Sequence, residues 1–239
     1  MNFVLAAGAF FGAWCWERVA PKIRSCGHAA YPVTFTGMAE RSHLLTRDVG
    51  LNTHVDDLVN LIEFNDLTDV VLVGHSYAGM VVGCASHRIP DRIAHIVYVD
   101  AFVPENGKSL FDLQAKRFRE MLQKRARVEG EGWKIPPLDP GSESLGITDS
   151  DDVEWVRSKQ TAHPLRTLTD PAEFENADAS AIPKTYMFCT KNPPDGTFAS
   201  IASRIKGASD WRYVEMAAPH AVMISEPDAL IKNLLAVLY

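Results

Sequence analysis

Residues 70–80, Val-Val-Leu-Val-Gly-His-Ser-Tyr-Ala-Gly-Met, constrain this chain more than any other stretch. Four apolar residues read as a strand buried on both faces. A Ser set among small residues follows, and an apolar helical run starts at once. A chain can pass from buried strand to buried helix in so few residues only if small flanking side chains allow a sharp turn. Such a turn lifts the Ser76 hydroxyl clear of the sheet and sets the helix N-terminus beneath it. This is the G-x-S-x-G elbow, with Ala78 in place of the last glycine. A Ser that merely caps a helix is the alternative reading. The strand before it and the helix after it favour a nucleophile.

The rest of the chain repeats the strand–helix alternation. Strands are predicted at Phe3–Ala7, Ala29–Thr34, Val70–Val73, Ala94–Val99, Thr185–Cys189 and Arg212–Met216. Helices are predicted at Trp14–Arg24, His54–Phe64, Ala78–Arg88, Phe198–Lys206 and Asp228–Leu238. Alternation of this kind specifies an α/β fold: about six mostly parallel strands with right-handed crossovers and helices on both faces. It lapses between Glu105 and Ala181, where a charged helical segment (Asp112–Arg127), a Gly/Pro-rich stretch and an acidic run (Asp149–Asp152) follow one another. The expected organisation is a core of residues 1–104 and 182–239 with a helical cap inserted at 105–181.

A Ser hydroxyl needs a base. His220 follows the last predicted strand and precedes the last helix, where the base of such a sheet is expected. His75 should point away from the site. His87 and His95 read as surface residues, His28 precedes a strand, and His43, His54 and His163 fall in loops or at helix ends. Two carboxylates compete to orient the imidazole. Asp100 ends the fourth strand and Asp195 lies in the loop after the fifth. The backbone N–H groups of Tyr77 and Ala9 are the expected oxyanion donors. Phe10 and Phe11 are expected to give the substrate pocket an apolar wall, while Trp14 and Trp16 read more readily as core.

Other function classes find little support. The 239 residues are 46% hydrophobic and 23% charged with a net charge of -6, and no basic stripe suggests nucleic acid. Neither a basic amphipathic helix nor an 18-residue apolar run suggests a membrane. Residues 1–16 carry no charge, but no basic segment precedes the apolar stretch, so they read as a strand rather than a leader. The four cysteines (15, 26, 84 and 189) show no zinc-like spacing and suit a reducing cytoplasm. No phosphate-binding glycine loop is present. The expectation is therefore a cytoplasmic enzyme with a small-molecule substrate and neither metal nor cofactor. Oligomeric state is not written in the sequence, and a homodimer stays open.

On these residues the chain resembles the α/β-hydrolase superfamily, in the branch of plant methylesterases and hydroxynitrile lyases. Bacterial ester and carbamate hydrolases of the carbendazim type are similar. The likeness rests on Phe3-Val4-Leu5 with Gly8-Ala9, on Gly12-Ala13-Trp14-Cys15-Trp16, on the Ser76 elbow, and on His220 with Met223 and Pro227. It implies a cofactor-free serine hydrolase acting on a small, largely apolar ester, amide or carbamate. A lyase, a cofactor-independent oxygenase or a non-catalytic receptor on the same fold are the alternatives. Three departures stand out. Ala7-Gly8 replaces the usual His-Gly. Asn192 stands where the plant enzymes place their acid. Ala221 replaces the Lys of the lyases. The stretch Tyr98-Val99-Asp100-Ala101 is similar to one that carries the acid in some haloalkane dehalogenases, which favours Asp100.

Overall fold

In a computed structural model, which describes residues 1–174, 177–193 and 196–239, six strands form one sheet. They are β1 (Asn2–Ala6), β2 (Ala29–Val33), β3 (Val70–His75), β4 (Ile93–Val99), β5 (Lys184–Cys189) and β6 (Trp211–Met216), in the order β2-β1-β3-β4-β5-β6. Every pairing is parallel. The chain leaves β1 toward β2 on one side and returns to place β3 on the other. The β1/β3 boundary is thus the switch point, where the loops at the carboxyl ends diverge and leave a crevice.

Residue type follows position in the sheet. Every residue of the central β3 is buried, and its continuous apolar run has a neighbouring strand on each side and helices over both faces. The edge strands tolerate what a centre would not. Pro32, which has no N–H to donate, lies in β2, and Arg212 and Glu215 lie in β6.

The main helices of the core are α1 (Ala20–Ser25), α2 (Leu51–Phe64), α3 (Ala78–Arg88), α6 (Thr197–Ile205) and α7 (Pro227–Ala236). The helix expected at Trp14–Arg24 is instead a 3-10 turn, Ala13–Trp16, followed by the short α1. Pro21 explains the break: it lacks an N–H for a helix interior but suits the first turn, where it now stands. Likewise α2 begins at Leu51 rather than His54, after Gly50.

Between β4 and β5 lie a short turn (Leu110–Leu113), α4 (Lys116–Glu129) and α5 (Ser150–Lys159). The Asp149 side chain caps α5 by accepting from the Asp151 and Asp152 N–H groups. The charged helix runs further than expected, to Glu129, and Gly130 ends it. A two-residue antiparallel ribbon pairs Lys134–Ile135 with His163–Pro164. The segment between β4 and β5, where a helical cap is expected, thus carries a short ribbon as well as helices. It is held to the core by Arg18, whose guanidinium bonds both Asp152 oxygens (3.0 and 2.5 Å) and lies 4.9 Å over the Trp155 ring. Trp155 meets Trp14 edge-on at 5.2 Å. No helix of the described residues is long and apolar enough to cross a membrane.

Candidate active site

The parallel register builds the site. Ala6 pairs with Gly74, so two residues further on Gly8 comes beside Ser76, close enough that a Cβ on Gly8 would lie 2.9 Å from the Ser76 Cβ. His75 pairs with Val99, so Asp100 comes level with Ser76 at the same carboxyl edge. The turn between β3 and α3 is as tight as the sequence requires. Ser76 has φ 53°, a left-handed conformation uncommon outside glycine. Its N–H donates to the Val99 carbonyl (3.3 Å) and its own carbonyl accepts from Phe102 N–H (3.1 Å), so the elbow is stitched to β4 and the segment after it. Gly74 is obligatory for packing: a Cβ there would stand 2.7 Å from Val82 and 2.9 Å from the Ala78 carbonyl.

Three side chains meet over this turn. Ser76 Oγ lies 3.0 Å from His220 Nε2, and His220 Nδ1 lies 2.5 Å from Asp100 Oδ2. A carboxylate can only accept, so Nδ1 carries the proton and Nε2 presents its lone pair to the Ser76 hydroxyl, which donates to it. Asp100 is fully buried and has φ 44°. A buried carboxylate must find donors, and here Oδ1 accepts from the Cys189 N–H (3.1 Å) while Oδ2 accepts from Asn192 Nδ2 (2.5 Å) and His220. The alternative acid, Asp195, lies outside the described residues.

The His220 ring is also held face-on. Phe198 of α6 stacks on it at 4.7 Å and 18°, and His75 lies against it at 4.6 Å. His75 faces the base more closely than the sequence suggests. Its Nε2–H donates to the His220 carbonyl (3.0 Å), and burial, then the neighbouring His220, push its pKa well down.

The two N–H groups expected as oxyanion donors, those of Tyr77 and Ala9, lie on α3's N-cap and on the loop after β1. Tyr77 is the N-cap of α3, so its N–H has no intrahelical carbonyl to bond. Among the described residues, neither it nor the Ala9 N–H donates to a protein acceptor. Phe10 has φ 72°, and its ring meets His163 edge-on at 5.7 Å. Phe11 stacks on Trp14 at 5.2 Å. Phe10 and Phe11 are both buried, as is Trp16, whereas Trp14 is partly exposed.

Sequence reasoning missed a polar cluster behind the elbow. His54 and His163, read as residues of loops or helix ends, are buried. The Thr36 carbonyl accepts from His54 Nε2–H (2.9 Å), so the Tyr77 hydroxyl donates to Nδ1 (2.8 Å). Burial pushes the His54 pKa down to about 4 and that of His163 well down. Thr161, from the cap, donates its N–H to the Phe10 carbonyl (3.2 Å) and accepts the Ala39 N–H on its hydroxyl (2.8 Å). No local pattern announces these contacts, which join residues tens to more than a hundred positions apart. His95, expected at the surface, is half-buried and bonds Thr185 at 2.8 Å.

Comparison with known proteins agrees with the fold. The chain is 34% identical over 242 residues to the carbendazim hydrolyzing esterase of Nocardioides sp. (strain SG-4G), covering 98% of each. It is 33% identical over 216 residues to methylesterase 2 of Arabidopsis thaliana, covering 80% of this chain and 78% of that one. Among solved structures, an extracellular alpha/beta-hydrolase from a Paenibacillus species superposes with TM-score 0.85 at 23% identity, covering 99% of this chain and 98% of that one. The model of the alpha/beta hydrolase family matches residues 3–233, nearly the whole length, and the chain belongs to that family.

Proposed function

We propose that the protein is a serine esterase that cleaves a small, largely apolar carboxylic ester or carbamate through a covalent intermediate on Ser76. The observation that carries this reading is the hydrogen-bonded series Ser76–His220–Asp100, built on a nucleophile held at φ 53°. The two relatives above, one a carbendazim hydrolyzing esterase and the other a methylesterase, support the substrate class.

The chemistry follows from proton positions. Ser76 Oγ attacks the carbonyl carbon while its proton passes to His220 Nε2. The resulting imidazolium faces the buried Asp100 carboxylate through Nδ1–H. The carbonyl π electrons move onto oxygen, and the Ala9 and Tyr77 N–H groups receive the oxyanion. Collapse breaks the bond to the leaving oxygen, which takes the proton from Nε2. Water then attacks the acyl or carbamoyl carbon, gives its proton to Nε2, and the second collapse returns that proton to Ser76 Oγ. The stacked Phe198 ring and the tilted His75 ring hold the imidazole in the plane these transfers need.

A fluorophosphonate probe tests the nucleophile, with mass spectrometry of the Ser76 peptide. A turnover screen across esters, amides and carbamates tests the substrate class. Ser76→Ala and His220→Ala should each lower turnover by ~10⁴–10⁶-fold, with the double variant scarcely worse, since residues acting as a unit are not additive. Turnover by Ser76→Ala within about tenfold of the parent would remove the assignment.

A further inference from the structure

Asp100 does not reach His220 unaided. Its Oδ2 takes two bonds of 2.5 Å, one from His220 Nδ1 and one from Asn192 Nδ2. Asn192 stands on the loop after β5, and that loop is fixed at both ends of the contact. Asn192 N–H returns to the Cys189 carbonyl (3.4 Å), and Cys189 N–H holds the other Asp100 oxygen. Lys191 N–H donates to the Ala218 carbonyl (3.1 Å), two residues before the base. The amide therefore sits on a short bridge between the strand that carries the acid and the loop that carries the base.

We infer that Asn192 is a positioning residue for the reaction, which aims the Asp100 carboxylate at His220. This rests on the reading of Asp100 as the acid given above. The residue type suits the task. A carboxylate rotates about its last bond, and Cys189 N–H alone fixes one oxygen without fixing the tilt of the other. A second donor on Oδ2 locks the plane. That donor has to be neutral. A cation would compete with the imidazolium for the negative charge, whereas a carboxylate would repel Asp100 unless the two shared a proton. An amide donates without adding charge, and its NH₂ end must face Asp100 because a carboxylate only accepts.

Three other titratable side chains lie near the pair, and burial acts on each of them in the same direction. Burial pushes the Cys189 thiol and the Tyr186 phenol well up, and Tyr213 is pushed up to about 12. Lys191, next in sequence, is paired with Glu226 at 3.9 Å.

Two variants and one control test the inference on the full chain, with 4-nitrophenyl butyrate followed at its isosbestic wavelength. Asn192→Ala should lower kcat by ~10–100-fold, the usual cost of losing an outer partner of a reacting group, with KM within about twofold. Asn192→Asp should behave as a donor that titrates. At pH 5.5 the two carboxyls share a proton and the new side chain donates as the amide did, so kcat stays within about fivefold. As that proton leaves toward pH 8, kcat falls to the level of the alanine variant, a limb that the parent lacks. If Asn192→Ala fails to fold, the aspartate profile decides alone. The inference is overturned if kcat of Asn192→Ala lies within twofold of the parent, or if Asn192→Asp shows the parent profile. Asp100→Asn is the control, expected to lose ~10³–10⁴-fold. Should it lose less than tenfold, the acid assignment itself falls. A large loss there beside an unaffected Asn192→Ala would remove the role of Asn192 alone.

Discussion

Lowering the pH should unfold this protein early and steeply, because three histidines are buried neutral. His54, His75 and His163 are each at most 1% exposed. Burial is the largest cause of depression in all three: His54 is pushed down to about 4, and the other two well down. In the unfolded chain each returns to about 6.5. A group whose folded pKa lies below its unfolded one contributes fully above the unfolded value and loses that contribution as pH falls toward the folded one. The window therefore opens near pH 6.5 and, for His54, closes near pH 4. Between pH 7 and pH 5 His54 costs about 2 kcal/mol by this linkage, and His75 and His163, depressed by burial in the same direction, add to that cost. Domains of ordinary stability have about 5–15 kcal/mol in total. Carboxylates titrate mostly below this range, so the histidines can be read separately. Urea unfolding followed by circular dichroism at pH 7, 6, 5.5 and 5 gives the slope, which should correspond to uptake of nearly three protons at the acid end. His54→Gln keeps a donor for the Thr36 carbonyl but cannot titrate, so it should remove about one proton from that slope. An unfolding free energy constant within about 1 kcal/mol from pH 7 to pH 5 would refute the reasoning.

Gly8→Ala should cost about 10²-fold in kcat/KM, because the new Cβ would meet the Ser76 Cβ and His75 Nδ1, each at 2.9 Å, and displace the nucleophile or its neighbour. Steady-state kinetics and the rate of fluorophosphonate labelling check this, and a loss under fivefold would contradict it. Asp152→Ala releases Arg18, whose side chain is 39% exposed against 14% for its partner, so the stability loss should stay near ~1 kcal/mol. The expected effect is on substrate binding: KM rises several-fold with kcat little changed, and limited proteolysis cuts within residues 130–160 sooner. Equal KM and equal proteolysis would show that the Arg18 clamp does not steady the cap.

The sheet was legible because its signals are local. Continuous apolar runs such as Val70–Val73 and Ile96–Val99 show double burial directly, and the Gly-His-Ser turn needs only its own neighbours to be recognised. Strand ends and chain order point to Ser76 and His220 but leave Asp100 and Asp195 both open, with only the dehalogenase-like stretch favouring Asp100; the fold brings Ser76, His220 and Asp100 into one hydrogen-bonded series. Pro21 carried a local signal that the apolar content of Trp14–Arg24 obscured. The contacts of Asn192, Thr161 and His54 were not legible, because they join segments that only the finished fold brings together. Asn192 reaches across 92 positions to Asp100, and Thr161 across 122 to Ala39. A buried histidine is indistinguishable in sequence from a solvated one until the groups facing its two nitrogens are known.

Those long-range contacts also explain how the site can hold its strain. Seven described non-glycine residues have positive φ. Asp66, Asp69 and Glu131 are exposed, and the two Asp are of a type that tolerates this conformation. The other four, Phe10, Ala39, Ser76 and Asp100, lie at the elbow or in the loops around it, and each costs about 1–3 kcal/mol. Every one of the four is bonded to a different segment. Phe10 and Ala39 both bond Thr161, Ser76 is held by Val99 and Phe102, and Asp100 N–H donates to the Met187 carbonyl at 2.7 Å. The strained backbone at Phe10 and Ala39 therefore depends on Thr161, and that at Ser76 and Asp100 depends on β4, the segment after it and β5. Because Thr161 belongs to the segment between β4 and β5, that segment helps to shape the loops around Ser76. Substitutions at Thr161, unlike release of the Arg18 clamp, should therefore alter kcat as well as KM.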